Sequence, residues 1–137
     1  KVFISKPDIN GIIIADTKHT SVIAKAGVGI PPILDDFAQI VGVGAKTGDA
    51  KKLLKLLKGK NACVVKNIGA FATGRTLNEA ETALKVLDKT AKVYIEADLI
   101  GGAKSINRVE AKLMNVIYKM KYSKKDQAAK LEELEND

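Results

Sequence analysis

The apolar positions of the chain change period several times, and each change predicts an element. Gly11-Ile12-Ile13-Ile14-Ala15, bounded by Asn10 and Asp16, is a short apolar run of the kind that forms a buried strand. From Thr17 to Ala26 the apolar residues Val22, Ile23 and Ala26 fall at helical spacing, and Gly27 is the expected stop. Two prolines, Pro31 and Pro32, exclude a helix interior across Gly29–Leu34 and make it an extended connector. Ala38 to Val43 reads as a further strand. Asp49 to Lys58 sets Leu53, Leu54, Leu56 and Leu57 against four lysines, an amphipathic helix closed by Gly59. Asn61–Lys66 and Ala70–Thr73 read as two strands joined by a tight connection and ended by Gly74.

The second half of the chain is predicted helical. Thr76-Leu77-Asn78-Glu79 is a capping box, whose hydroxyl and carboxylate satisfy donors left unpaired at a helix start. The stripe Ala80, Ala83, Leu84, Leu87, Ala91, Tyr94, Ile95 carries that helix for about five turns toward Gly101-Gly102. Another helix is expected from Ser105 to Tyr122, with Val109, Leu113, Val116, Ile117 and Met120 on one side. Residues 123–137 are charged, with Leu131 and Leu134 the large apolar exceptions, and read as a tail or loosely held helix. Val2-Phe3-Ile4 ahead of Pro7 looks like the last turn of a helix whose upstream part is missing.

A length of 137 residues, 46% of them apolar, suits one domain, here residues 1–122 followed by the tail. The net charge of +7 raises the question of nucleic acid, because basic surfaces gain affinity by releasing counterions from phosphates. The lysines are dispersed, however, and aromatics make up only 4% of the chain, too few for base-stacking platforms. Nucleic acid is therefore not expected as a partner. The basic face of 49–58 reads as packed surface rather than a membrane anchor, and no apolar run is long enough to span a bilayer. Cys63, the single cysteine, sits in the apolar run Ala62–Val65 and reads as a buried thiol in a reducing, cytoplasmic setting.

Three stretches, taken together, resemble the class II aldolase/adducin family. Lys6-Pro7-Asp8-Ile9-Asn10-Gly11-Ile12-Ile13 is similar to the run that leads into that family's metal-binding His-x-His. Ala26-Gly27-Val28-Gly29-Ile30-Pro31-Pro32-Ile33 is similar to its Ala-Gly-x-x-Ile-Pro connector. The segment from Leu57 to Ala80, including Asn67-Ile68-Gly69, is similar to its Asn-His-Gly segment and the helix that follows. The likeness spans residues 6 to 98 in order.

The resemblance implies an α/β domain with a central, largely antiparallel sheet flanked by helices, lacking an N-terminal portion that holds the phosphate cradle and a catalytic acid. It also implies a homo-oligomer and a small phosphorylated sugar as substrate class. Family aldolases hold zinc with three imidazoles to stabilise an enediolate. Carried over residue by residue, the three histidine positions fall on Ile14, Asp16 and Ile68. Asp16 and the lone histidine, His19, are the remaining candidate metal ligands, and a hydrolase triad of Asp16, His19 and Ser21 is disfavoured because its members share one turn. Tyr122, with Tyr118 beside it, is the candidate for the family's C-terminal tyrosine. Val43–Gly48 carries Lys46-Thr47 but lacks the glycine spacing of a phosphate loop. The expectation is a member without a bound cofactor, a pseudoenzyme or oligomerising scaffold. The alternative is an active lyase or epimerase whose zinc site is completed by upstream sequence or another subunit.

Overall fold

The computed structural model describes residues 1–136; Asp137, the end of the expected tail, lies outside the described residues. Its centre is a four-stranded sheet in the order β1-β4-β3-β2, built from β1 (Gly11–Ala15), β2 (Thr47–Gly48), β3 (Ala62–Val65) and β4 (Gly69–Gly74). The β1–β4 and β4–β3 pairs are antiparallel and the short β2 runs parallel to β3. This is the α/β architecture with a largely antiparallel sheet that the family resemblance implies.

Alternation along the strands divides the core in two. Ala62, Val64, Ala70 and Ala72 face α2 (Lys18–Ala26), α3 (Asp35–Ile40) and α5 (Leu77–Leu99), packing with Ile23, Phe37, Val41, Ala83 and Leu87. Small residues on this sheet face let the helices approach closely. Cys63, Val65 and Phe71 point the other way, against Val2 of α1 (Val2–Ser5) and against Leu56 and Leu57 at the end of α4 (Leu53–Leu56). Burial pushes the Cys63 thiol up to about 12, although Lys6 and Lys60 pull against it, so the thiol is neutral, as a core cysteine should be.

Two expectations are corrected. Ala38 to Val43 is not a strand: Asp35–Ile40 is α3. Its first turn carries Asp35 and Asp36, acids that suit the positive end of a helix. The Asp36 carboxylate accepts from the Phe37 N–H at 2.9 Å and pairs with Lys89 of α5. Phe37 and Val41, four apart, then enter the core together, a match that outweighs the β preference of Ile40 and Val41. Asp49–Lys58 is also not one amphipathic helix but a 3-10 turn, Ala50–Lys52, running into the single turn of α4. Leu56 and Leu57 are buried while Leu54 is exposed, so the leucines do not form one stripe.

The α5 start is the predicted cap with one change. The Thr76 hydroxyl accepts from the Glu79 N–H at 3.1 Å, but the Glu79 carboxylate reaches back to the N–H and guanidinium of Arg75. The last helix, α6 (Arg108–Glu135), runs unbroken through the segment read as a tail or loosely held helix. Among its described residues Ala111 and Asn115 are buried, with the Asn115 amide donating to the Gln39 carbonyl of α3 at 2.8 Å. Val109, Leu113, Ile117 and Met120 lie on the exposed side.

Lys6 ties the chain start to this frame. Its ammonium donates to the carbonyl of Leu57 at 3.1 Å and to that of Lys60. Burial, then the charge of Lys119, lowers its pKa from 10.5 to about 8, with Cys63 acting weakly the other way. Lys60 and Lys119 are displaced in the same direction, chiefly by burial. Between about pH 8 and the ordinary lysine range the unfolded chain holds more protons than the folded one, so stability rises with pH. The raised Cys63 opposes this above its ordinary value of 9.0. The urea midpoint is therefore expected to rise from about pH 7.5 to about pH 9, and Lys6→Met to reduce the rise. A flat or falling midpoint in the parent protein would contradict the burial of Lys6.

Candidate functional site

At the Ala15 end of β1 the sheet opens into a cleft of about 530 Å³, lined by Asp16, Ser21 and Lys25 on one side and by Lys66, Asn67 and Ile68 on the other. Its walls are the exit of β1 with helix α2, and the β3–β4 turn. The turn is held in place by close approach. Asn67 adopts φ 63° and Gly69 φ 128°, and a methyl group on Gly69 would fall 2.5 Å from the Ala15 carbonyl oxygen and 3.0 Å from the Asp16 Cα. Only glycine permits this contact, and it sets Ile68 beside Asp16. At the far wall, Gly27 ends α2 at φ 69°, its N–H meeting the carbonyls of Ala24 and Ile23, as the helix stop predicts.

Asp16 and Ile68 therefore share one cleft. Ile14 precedes Asp16 by two residues, is cross-strand from Phe71, and is 55% exposed; Ile68 is 48% exposed. At positions 14 and 68 the cleft region offers hydrocarbon, and Asp16 supplies carboxylate oxygen. Zinc is held by nitrogen, sulfur or oxygen donors, three of them from protein in catalytic sites. The side chains at 14, 16 and 68 do not fit that requirement, and no step through zinc is derived from them. Among the described residues, no three His, Cys, Asp or Glu side chains gather in a group able to hold a metal ion.

His19 is turned elsewhere. Its Nδ1 lies 3.1 Å from the Asp88 carboxylate of α5, and its backbone N–H donates to the other oxygen at 3.3 Å. Burial alone would raise the Asp88 pKa. Hydrogen bonds from the His19 ring and from Thr17, with the charge of His19, outweigh burial and hold it below the ordinary aspartate value. The pair clamps α2 to α5, and His19 is not among the residues lining the cleft. The sequence offered no sign of this partner, because Asp88 is 69 residues away.

Tyr122 sits near the opposite end of β4. Its ring lies 4.4 Å from that of Tyr118, with the Arg75 guanidinium 5.5 Å from its centre. Arg75 follows Gly74, so roughly 17 Å of strand separates this group from Gly69. Burial, followed by the hydrogen bond and charge of Tyr122, raises the Tyr118 phenol above its ordinary value. Within one chain Tyr122 and the cleft are thus apart.

The fold and the sequence together define the family. The chain belongs to the class II aldolase and adducin family: the family's Class II Aldolase and Adducin N-terminal domain profile matches residues 1–95. Among curated proteins it is 27% identical over 119 residues to 4-hydroxy-3-prenylphenylpyruvate oxygenase/4-hydroxy-3-prenylbenzoate synthase of Streptomyces roseochromogenus subsp. oscitans, covering 80% of this chain and 43% of that protein. It is 25% identical over 119 residues to Decarboxylase NovR of Streptomyces niveus, covering 80% of this chain and 44% of that one. The chain thus spans less than half the length of these relatives. Among solved structures, an L-fuculose 1-phosphate aldolase superposes with a TM-score of 0.72 at 24% identity, covering 79% of this chain and 55% of that chain. YgbL of Klebsiella pneumoniae superposes with a TM-score of 0.66 at 19% identity, covering 82% of this chain and 60% of that chain. These likenesses bear on fold. Among the described residues no helix is long and apolar enough to cross a membrane.

Proposed function

We propose that this chain is a non-catalytic member of the class II aldolase and adducin family, a scaffold that keeps the fold without zinc-dependent retro-aldol cleavage. The observation that carries the reading is the donor chemistry at positions 14, 16 and 68: two hydrocarbon side chains and one carboxylate where a Lewis-acid site needs imidazoles. Asp16 and Ile68 line the cleft, and neither brings an imidazole to it. In this reading the chain binds no zinc and works in the cytoplasm, in keeping with its unpaired, buried Cys63. Incubation with L-fuculose 1-phosphate and added zinc is expected to give no cleavage. Chelator-sensitive cleavage would overturn the proposal.

The scaffold role includes self-association, supported by α6. Its exposed side carries Val109, Leu113, Ile117 and Met120, too continuous an apolar row for a solvated helix. The charges along the same helix choose the occupant. Its first part is mostly basic, with Arg108, Lys112, Lys119 and Lys121 against Glu110, and its end carries Glu132, Glu133 and Glu135 against Lys130. An antiparallel second copy sets basic against acidic, and a parallel one sets like against like. Sedimentation equilibrium is expected to show a dimer or larger species, and Leu113→Lys combined with Ile117→Lys to give monomers of unchanged helicity. A monomeric parent protein, or a double variant of unchanged size, would contradict this surface.

A further inference from the structure

The segment Val43–Gly48 lacks phosphate-loop spacing, yet the structure makes its first part, Val43-Gly44-Ala45-Lys46, one wall of a second groove, also of about 530 Å³. This groove shares no lining residue with the Asp16 cleft. Its walls are pinned to one another. Ile30 and Ala45 exchange both backbone hydrogen bonds at 2.9 Å, and the Ile106 N–H donates to the Pro32 carbonyl at 2.9 Å. Gly44 holds φ 149°, a conformation that side chains rarely adopt, and a methyl group there would press to 3.2 Å from the Ile30 carbonyl. The groove is therefore preformed, and its volume suits a small molecule.

Its charge is one-sided. Lys46, Lys60 and Arg108 line it from three separate segments, and no Asp or Glu does. Among the described residues none of the three makes an ion pair. Burial first, then the charges of Lys46 and Arg108, lower the Lys60 pKa, with Cys63 acting the other way. Arg108 is also the first residue of the 28-residue α6, where the helix macrodipole already places positive charge. Glu110, on that first turn, is not a lining residue. Ile30, Pro31 and Tyr94 complete the groove with an apolar surface.

We infer that this groove binds a small phosphorylated molecule, the phosphate held by Lys46, Lys60 and Arg108 and an apolar or aromatic body lying on Ile30, Pro31 and Tyr94. A phosphate brings up to two negative charges and three acceptor oxygens to cations that repel one another without it. The arginine fork meets two of those oxygens at once and the lysines act as point charges. This inference does not depend on whether the Asp16 cleft is catalytic.

Calorimetric titration and amide chemical-shift mapping with phenyl phosphate test it on the intact chain. Binding in the millimolar range or tighter is expected, with shifts confined to 29–32, 43–46, 60, 94 and 105–108. Binding should be weakened by added salt and by about tenfold in each of Lys60→Met and Arg108→Gln. Lys25→Met and Lys66→Met, in the other cleft, should leave it unchanged, and phenol should not compete. Since Arg108 is exposed, its variant keeps the test valid if Lys60→Met proves unstable. No binding at millimolar phenyl phosphate, equal weakening by the Lys25 and Lys66 variants, or phenol binding as tightly as phenyl phosphate would each overturn the inference.

Discussion

A protein carrying Ile14→His, Asp16→His and Ile68→His together is expected to retain one zinc ion per chain through gel filtration, where the parent protein retains none. Positions 14 and 16 are two apart at the end of β1, and Gly69 presses against Ala15 and Asp16, which brings position 68 alongside. All three are at the surface, where imidazoles could be added without displacing core atoms. Three imidazoles with an open fourth position make a tetrahedral catalytic-type zinc site. Asp16→His alone should not hold zinc, since one added ligand leaves the site incomplete. If the triple variant folds and takes up no more zinc than the parent, the correspondence of positions 14, 16 and 68 with the family's ligands is wrong.

Phe37→Ala is expected to destabilise the chain by about 3–5 kcal/mol, which is a large part of the stability of a domain this size. Phe37 is fully buried in the larger core cluster together with Ile30, Val41 and Leu87, and it is the residue through which α3 enters that cluster. Truncation leaves a cavity that rigid neighbours close only in part. Leu113→Ala, on the exposed side of α6, should change the stability of the isolated chain by roughly 0.5 kcal/mol or less. Urea unfolding followed by circular dichroism measures both. Similar losses from the two variants would mean that the buried face of α6 has been assigned the wrong way round.

How much could be read beforehand differed by element, for physical reasons. β1, β3 and β4 were legible because apolar runs bounded by Asn10, Asn61 and Gly74 leave few alternatives, and the starts and stops at Thr76 and Gly27 are local chemistry. α3 was missed because Ile40 and Val41 suggest a strand, and its helix depends on Phe37 and Val41 reaching a core assembled from distant segments. The exposed apolar side of α6 could not be told from a core stripe by spacing alone, because periodicity reports a face and not what covers it. At the candidate site, the absence of imidazoles at 14 and 68 was readable directly. The partnership of His19 with Asp88 was not, nor the meeting of Lys46, Lys60 and Arg108, since each depends on the folding of segments far apart in sequence.

Elemental analysis of protein purified without an affinity tag, with the intact mass measured on the same sample, decides whether the chain lacks the zinc site of its family. Zinc well below one equivalent per chain is expected, both as isolated and after zinc is added and excess removed. Near-stoichiometric zinc that survives this treatment would mean that ligands outside positions 14, 16 and 68 hold the metal, and the non-catalytic reading would fall.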